Sequence, residues 1–157
     1  MSKKKETPNK NLIASNKKAF HNYQILERIE AGLVLSGCEV KSVRNRNVVI
    51  KDSFARIVNN EIFLFNCYIG PYEEGNIQNL APERDRKLLL HRREIDKLIG
   101  KLQNAHLSLI PLSIYIKNNK VKTELGLGQP KKLHDKRRDI KERDIQRNMA
   151  KAIKHKR

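Results

Sequence analysis

Apolar and polar residues alternate in short runs along most of this chain, the period of strands that bury one face. Tyr23 to Ile29 alternates loosely, Glu30-Ala31-Gly32 reads as a turn, and Leu33-Val34-Leu35 as a returning strand, so a first β-hairpin is predicted there. Ser36-Gly37 breaks the pattern, and Cys38 to Arg44 (CEVKSVR) is long enough for two helical turns. Val48 to Ile50 and Phe54 to Val58 are rich in strand formers, and Asn59-Asn60 turns the chain into Ile62 to Phe65, a second hairpin. Tyr68 to Leu80, with two Gly and a Pro, reads as a long mobile loop. Leu88-Leu89-Leu90 steps into the clearest helix, where Ile95, Leu98, Ile99 and Leu102 share one face. Gly100 predicts a weak last turn for it. Leu112, Ile114 and Ile116 alternate, Asn118-Asn119 turns, and Val121, Thr123, Leu125 and Leu127 alternate back, a third hairpin. Pro111 fits only near a strand start or an edge. Six short strands, a helix between the fourth and fifth, and one small early helix predict a mainly β domain. Its expected form is a small closed six-stranded antiparallel barrel of the oligonucleotide-binding (OB-like) kind, because closure removes strand edges.

The last stretch, residues 131–157, follows a different pattern. Drawn as a helix at about 100° per residue, it gathers Ile145, Met149, Ala152 and Ile153 on one face. Arg143, Arg147, Lys151 and Lys154 fall on the other. Like charges four residues apart repel and weaken an isolated helix. The tail is therefore expected to be disordered when free and to fold when a polyanion screens its basic ridge.

Charge sharpens this division. The chain has 157 residues and a net charge of +17. The tail holds twelve Lys/Arg against four Asp/Glu, and the first 18 residues hold six Lys against one Glu. The middle is close to balanced. The expected organisation is a disordered basic N-terminus over 1–15, a barrel over 16–130 and a basic tail over 131–157. Fields of this kind attract polyanions. No apolar run is long enough to span a membrane, no secretory signal follows Lys3 to Lys5, and the tail lacks the Trp, Phe and Leu of an interfacial helix. A cytoplasmic protein without a membrane partner is expected. Cys38 and Cys67 are isolated and read as free thiols rather than a disulfide.

Catalytic chemistry is hard to find in this sequence. The five histidines, at 21, 91, 106, 134 and 155, lack metal-site spacing, and there is no phosphate loop, so no metal or cofactor is expected. Gly126 and Gly128 mark a bend. What accumulates instead is basic residues beside turns: Lys41 and Arg44; Arg84, Arg86 and Lys87; Lys117, Lys120 and Lys122. Singly each reads as a solvated surface residue; as a group they point to phosphate contacts.

Five blocks carry a resemblance: NKKAFHNY (16–23), EAGLVLSGCEVKSVR (30–44), DRKLLLHRREI (85–95), PLSIYIKN (111–118) and HDKRRDIKERD (134–144). In that order and spacing the chain resembles the SsrA-binding protein (SmpB) family of bacterial trans-translation. The resemblance implies an OB-like barrel that binds the tRNA-like domain of tmRNA, the RNA of that pathway. It implies delivery to stalled 70S ribosomes with elongation factor Tu through alanyl-tmRNA, the barrel standing in for a missing anticodon arm. It also implies a tail that becomes helical in the empty mRNA channel, near small-subunit rRNA of the decoding centre. Residue by residue, it assigns RNA contacts to Asn16, Lys17, His21, Tyr23, Glu30, Lys41, Arg44, Arg86, Lys87, Leu89 and Lys122. Ribosome contacts fall to Lys131, Lys132, His134, Asp135, Lys136, Arg137, Lys141, Arg143, Arg147, Met149, Lys151 and Ile153. Leu89 is equally compatible with core packing.

The chain departs from the family at four places. Cys38 stands where many members carry Trp, Glu124 where a basic residue is usual, Pro130 where a Gly opens the hinge to the tail, and Ile145 where some carry Trp. Two other functions remain in view. One is a ribosomal or initiation-type OB-fold RNA-binding protein. The other is an RNA-processing enzyme using His91 and Glu94, which predicts turnover; the first two readings predict binding without catalysis.

Overall fold

The computed structural model describes residues 11–75, 79–104 and 106–155. Its centre is a ring of six antiparallel strands. The strands are β2 (Tyr23–Leu33), β4 (Phe54–Val58), β5 (Glu61–Phe65), β7 (Arg86–Leu89), β8 (Ser108–Lys117) and β9 (Lys120–Pro130). They follow one another as β8-β4-β5-β7-β2-β9, and β9 pairs again with β8, closing the ring. A strand β1 (Leu12–Ser15) extends the contact along β8, and β3 (Val48–Val49) pairs β6 (Tyr68–Ile69) in a separate two-stranded sheet. Inside lie Ile62, Leu64, Leu88, Leu109, Ile114 and Leu125, all at most 2% exposed.

The hairpin turns are built from asparagines. Asn59 and Asn60 between β4 and β5, and Asn118 and Asn119 between β8 and β9, all take positive φ. Two left-handed residues in succession match the twist of the strands they join, and Asn tolerates that conformation better than most residues.

The first predicted hairpin is corrected. Glu30-Ala31-Gly32 is not a turn but the continuation of β2, paired with Glu124, Thr123 and Lys122 of β9. Ala31 is 1% exposed and Gly32 is also buried, so this small-residue stretch packs closely instead of bending. The sixth ring strand is instead Arg86–Leu89, which pairs with Gly32 and Leu33 on one side and Ile62 to Leu64 on the other. The expected disorder of 1–15 is also corrected in part, since Leu12–Ser15 pairs with Ser113 to Tyr115. Residues 1–10 lie outside the described residues. Within the expected loop at 68–80, Tyr68–Ile69 forms β6 and Glu73–Gly75 a short 3-10 turn, and residues 76–78 lie outside the described set.

Among the described residues, four α-helices decorate the ring. α1 (Lys17–Asn22), missed by the periodicity, is capped by Asn16, whose Oδ1 accepts from the Ala19 N–H at 3.1 Å. α2 (Gly37–Arg44) opens with a reciprocal cap: Ser36 Oγ accepts from Glu39 N–H, and a Glu39 oxygen accepts from Ser36 N–H. α3 (Arg92–Leu102) continues through Gly100 to Leu102, because Ile99 and Leu102 pack on the core and support the turn expected to be weak. α4 (Leu133–His155) is the tail, and none of its residues is buried. Pro111 lies where the β8–β9 register shifts, a bulge that spares the ladder a donor. Cys38 and Cys67 are free, and burial pushes the Cys67 thiol up to about 11. No helix among the described residues is long and apolar enough to cross a membrane.

Candidate nucleic-acid interface

Residues from three strands and one helix meet on one outer face of the ring. Glu30 points outward because its neighbour Ala31 points in, the period-two rule of a strand. Lys122 sits opposite Gly32 on β9, and Leu89 opposite Gly32 on β7. With His91 and Lys97 of the α3 side they line a groove of about 720 Å³. Leu89 is 54% exposed there, which excludes the core-packing alternative.

The Glu30 carboxylate is fixed in place. Tyr115 O–H donates to its Oε2, and Lys117 Nζ lies 3.4 Å from both oxygens. Tyr115 does most to lower its carboxyl from the ordinary value; burial opposes this, and Lys117 and Lys122 lower it further. Burial, and then the same contact with Glu30, raises the Tyr115 phenol. Tyr115 escaped the sequence reading, although the β8 alternation already placed it on the outer face beside Lys117. Glu124, the register partner of Glu30, lies 3.6 Å from Arg28 and accepts from Ser113 Oγ at 3.4 Å. The acidic departure at 124 is thereby compensated locally.

The other expected RNA residues lie outside the lining of this groove. Lys17 is the first residue of α1, His21 lies in its last turn, and Tyr23 follows it as the first residue of β2. Lys41 and Arg44 are exposed on α2, with Lys41 Nζ 5.2 Å from the centre of the Tyr72 ring. Lys87 is bonded to Glu61 at 2.8 Å. Two residues do not reach the surface, and for them direct contact is corrected. Asn16 is 2% exposed, with Nδ2 donating to the Ile50 and Pro111 carbonyls at 3.2 and 3.0 Å. Arg86 is wholly buried: it donates to Glu39 at 2.5 Å, to the Cys67 carbonyl at 2.6 Å and to the Pro82 carbonyl at 2.9 Å. Arg84 binds the other Glu39 oxygen. Burial raises the Glu39 carboxyl, but bonds from Arg84, the Ser36 backbone and Arg86 outweigh it and hold the group below 4.5.

In the tail, Lys131 is turned inward. Its backbone N–H donates to the Asn22 carbonyl at 2.9 Å and its Nζ to the Phe20 carbonyl at 3.1 Å, while Nζ also pairs with Asp139. One cation therefore caps the carbonyl end of α1 and clips the second turn of α4 to it. Lys132, His134, Asp135 and Arg137 are exposed, Lys136 is half-buried, and Lys141, Arg143, Arg147, Met149, Lys151 and Ile153 are all exposed. His91 and Glu94 do not form a side-chain pair; the Glu94 carboxylate accepts the His91 backbone N–H at 3.0 Å, a helix-start contact. Among the described residues no three His, Cys, Asp or Glu side chains group as metal ligands.

Known proteins resemble this chain along most of its length. The family model described as SmpB protein matches residues 13–155. The SsrA-binding protein of Acetivibrio thermocellus is 54% identical over 145 residues, 92% of this chain and 94% of its own. That of Enterococcus faecalis is 50% identical over 146 residues, 93% of this chain and 95% of its own. A chain of the solved structure described as "tmRNA-SmpB: a journey to the center of the bacterial ribosome" is 46% identical, with a TM-score of 0.64 over 76% of this chain and 85% of that one.

Proposed function

The chain belongs to the SsrA-binding protein (SmpB) family, and from that premise we propose how its surfaces divide the work of ribosome rescue. It binds tmRNA and serves trans-translation. We read the six-strand ring as an OB-like barrel that docks the tRNA-like domain. Glu30, Leu89 and Lys122 form the centre of that surface, with Lys17, His21, Tyr23, Lys41, Arg44 and Lys87 around it. The tail is a second site, unfolded when free and helical in the empty mRNA channel beside decoding-centre rRNA. Elongation factor Tu joins through alanyl-tmRNA, and the work takes place in the cytoplasm.

The observation that carries this reading is the convergence of Glu30, Leu89 and Lys122, distant in sequence, on one groove. RNA loops and elbows are recognised by shape, stacking and phosphate contact, and a groove with a carboxylate held by Tyr115, an apolar ledge and lysines offers all three. The test is competition: labelled tmRNA bound to the full chain, challenged with tRNA or with unlabelled tmRNA. Displacement by tmRNA far below the tRNA concentration supports the reading. Equal displacement by both points to a general ribosomal RNA binder. A chain stopped after Pro130 is expected to keep that selectivity, more weakly at low salt, and to lose tagging on stalled ribosomes.

A further inference from the structure

Resting on the RNA-binding reading above, we propose that the groove beside Glu30 is a guanine slot. A base splayed from single-stranded RNA would lie on Leu89 and donate its N1–H and N2–H to the Glu30 carboxylate.

The first argument is electrostatic. An ionised carboxylate on a surface that receives a polyanion opposes binding unless the RNA offers it donors. Glu30 is not a floppy surface acid that swings aside, because Tyr115 donates to one oxygen and Lys117 lies 3.4 Å from both. These contacts also keep it ionised at neutral pH, so it acts only as an acceptor. A carboxylate has about four lone-pair positions; the phenol takes one, and Lys117 spans both oxygens at a long 3.4 Å, a weak contact that a forked donor from a base must displace.

The second argument is shape. A Cβ added at Gly32 would come within 3.2 Å of Leu89 Cβ. Glycine at 32 therefore lets the Leu89 side chain lie against the β2 backbone as a flat apolar ledge, more than half exposed, within the groove that Glu30 lines. Lys97 and Lys122 line the same groove and are available to phosphates flanking a base seated there, while Glu27 and Glu94, which also line it, are engaged by Lys101 and by the His91 N–H.

The third argument is base chemistry. Only guanine among the standard bases presents two adjacent N–H groups on its pairing edge. Adenine and cytosine present an amino group beside a ring-nitrogen acceptor. Uracil places its one N–H between two carbonyls. An acceptor facing an ionised carboxylate is repelled, so a fixed carboxylate selects guanine wherever bases are unpaired.

The experiment uses the full chain and uridine hexamers with one central guanosine, inosine, adenosine or 2′-deoxyguanosine, with Kd read by fluorescence anisotropy at a single salt concentration. Wild type is expected to bind the guanosine hexamer about tenfold more tightly than the inosine or adenosine hexamers, the scale of a hydrogen bond to a charged group. The deoxy sugar is expected to make no difference, and Glu30→Ala to erase the preference while its circular dichroism melt stays that of wild type. Equal binding of guanosine and inosine overturns the slot. So does a guanine preference that survives Glu30→Ala, or a loss that follows the 2′-hydroxyl instead of the base. The tRNA-like domain is titrated in parallel. If wild type binds that RNA without any guanine preference, only the slot fails; if it does not bind that RNA at all, the functional reading fails first.

Discussion

The ring and the tail are made from the same kinds of residue and obey opposite rules. In the ring, apolar side chains such as Ile62, Leu64 and Leu125 are sealed inside, and even a charge, Arg86, is completely buried with its partners supplied. In α4, Leu133, Ile145, Met149 and Ile153 are each more than half exposed. Burying such a side chain contributes roughly 1.5–3 kcal/mol, and that contribution is absent along the whole helix. Short helices derive most of their stability from packing. The ring therefore carries its own reason to fold, whereas the tail helix buries no stripe that would give it one.

The comparison is broken most severely from the ring side. Arg86→Ala leaves Glu39 buried without its main internal cation, and breaking such a pair costs about 3–5 kcal/mol. Urea unfolding of the ring is expected to shift by that amount, and a mere tenth of it would mean that Arg84, already on the other Glu39 oxygen, satisfies the carboxylate alone. From the tail side, Met149→Pro costs about 3 kcal/mol of helix without changing charge. Tagging in a reconstituted stalled-ribosome assay is expected to be nearly lost while the ring melts as in wild type; Met149→Ala keeps part of the tagging. Wild-type tagging by the Pro variant would make the tail an unstructured cationic tether.

Acid sharpens the contrast further. Glu39 titrates below 4.5 in the folded chain, so its contribution is complete above its unfolded value and disappears as pH falls through the folded one. The melting temperature of the ring is expected to drop as pH is lowered from about 4.5, equally with and without residues 131–157. Glu39→Gln is expected to be less stable at neutral pH but to lose most of that slope. The smallest effect belongs to the clip. Asp139→Asn removes the partner of Lys131 Nζ and is expected to speed amide hydrogen exchange in the first turns of α4 while leaving RNA binding alone. Unchanged exchange would show that the Asn22 and Phe20 carbonyls suffice to hold Lys131.

Much of this was legible in the sequence where a signal was local. The β4–β5 and β8–β9 hairpins follow from alternation and paired asparagines, and α3 from one apolar face. The continuity of β2 was not legible, because Glu30-Ala31-Gly32 looks like a turn until β9 and β7, far along the chain, close on its small residues. Arg86 read as a surface cation for the same reason: the groups that permit its burial, Glu39 and the Cys67 and Pro82 carbonyls, come from other elements. Family likeness named Glu30, Leu89 and Lys122 among eleven candidate positions. Their convergence on one groove, and the phenol that fixes Glu30, needed the three-dimensional register.

The closing pairs of the ring set a condition on how the protein is made. β2 waits for β9, so Tyr23 meets Pro130 and Gly32 meets Lys122 across nearly the whole length of the domain. Pairings this distant are slow to form and leave strand edges bare until they do. A chain emerging in order from a ribosome thus holds an open, sticky sheet through most of its own synthesis. It closes only once β9 is out, when much of the basic tail has already been translated behind it. A message cut anywhere before codon 120 yields a chain that lacks β9 and has no means of closing.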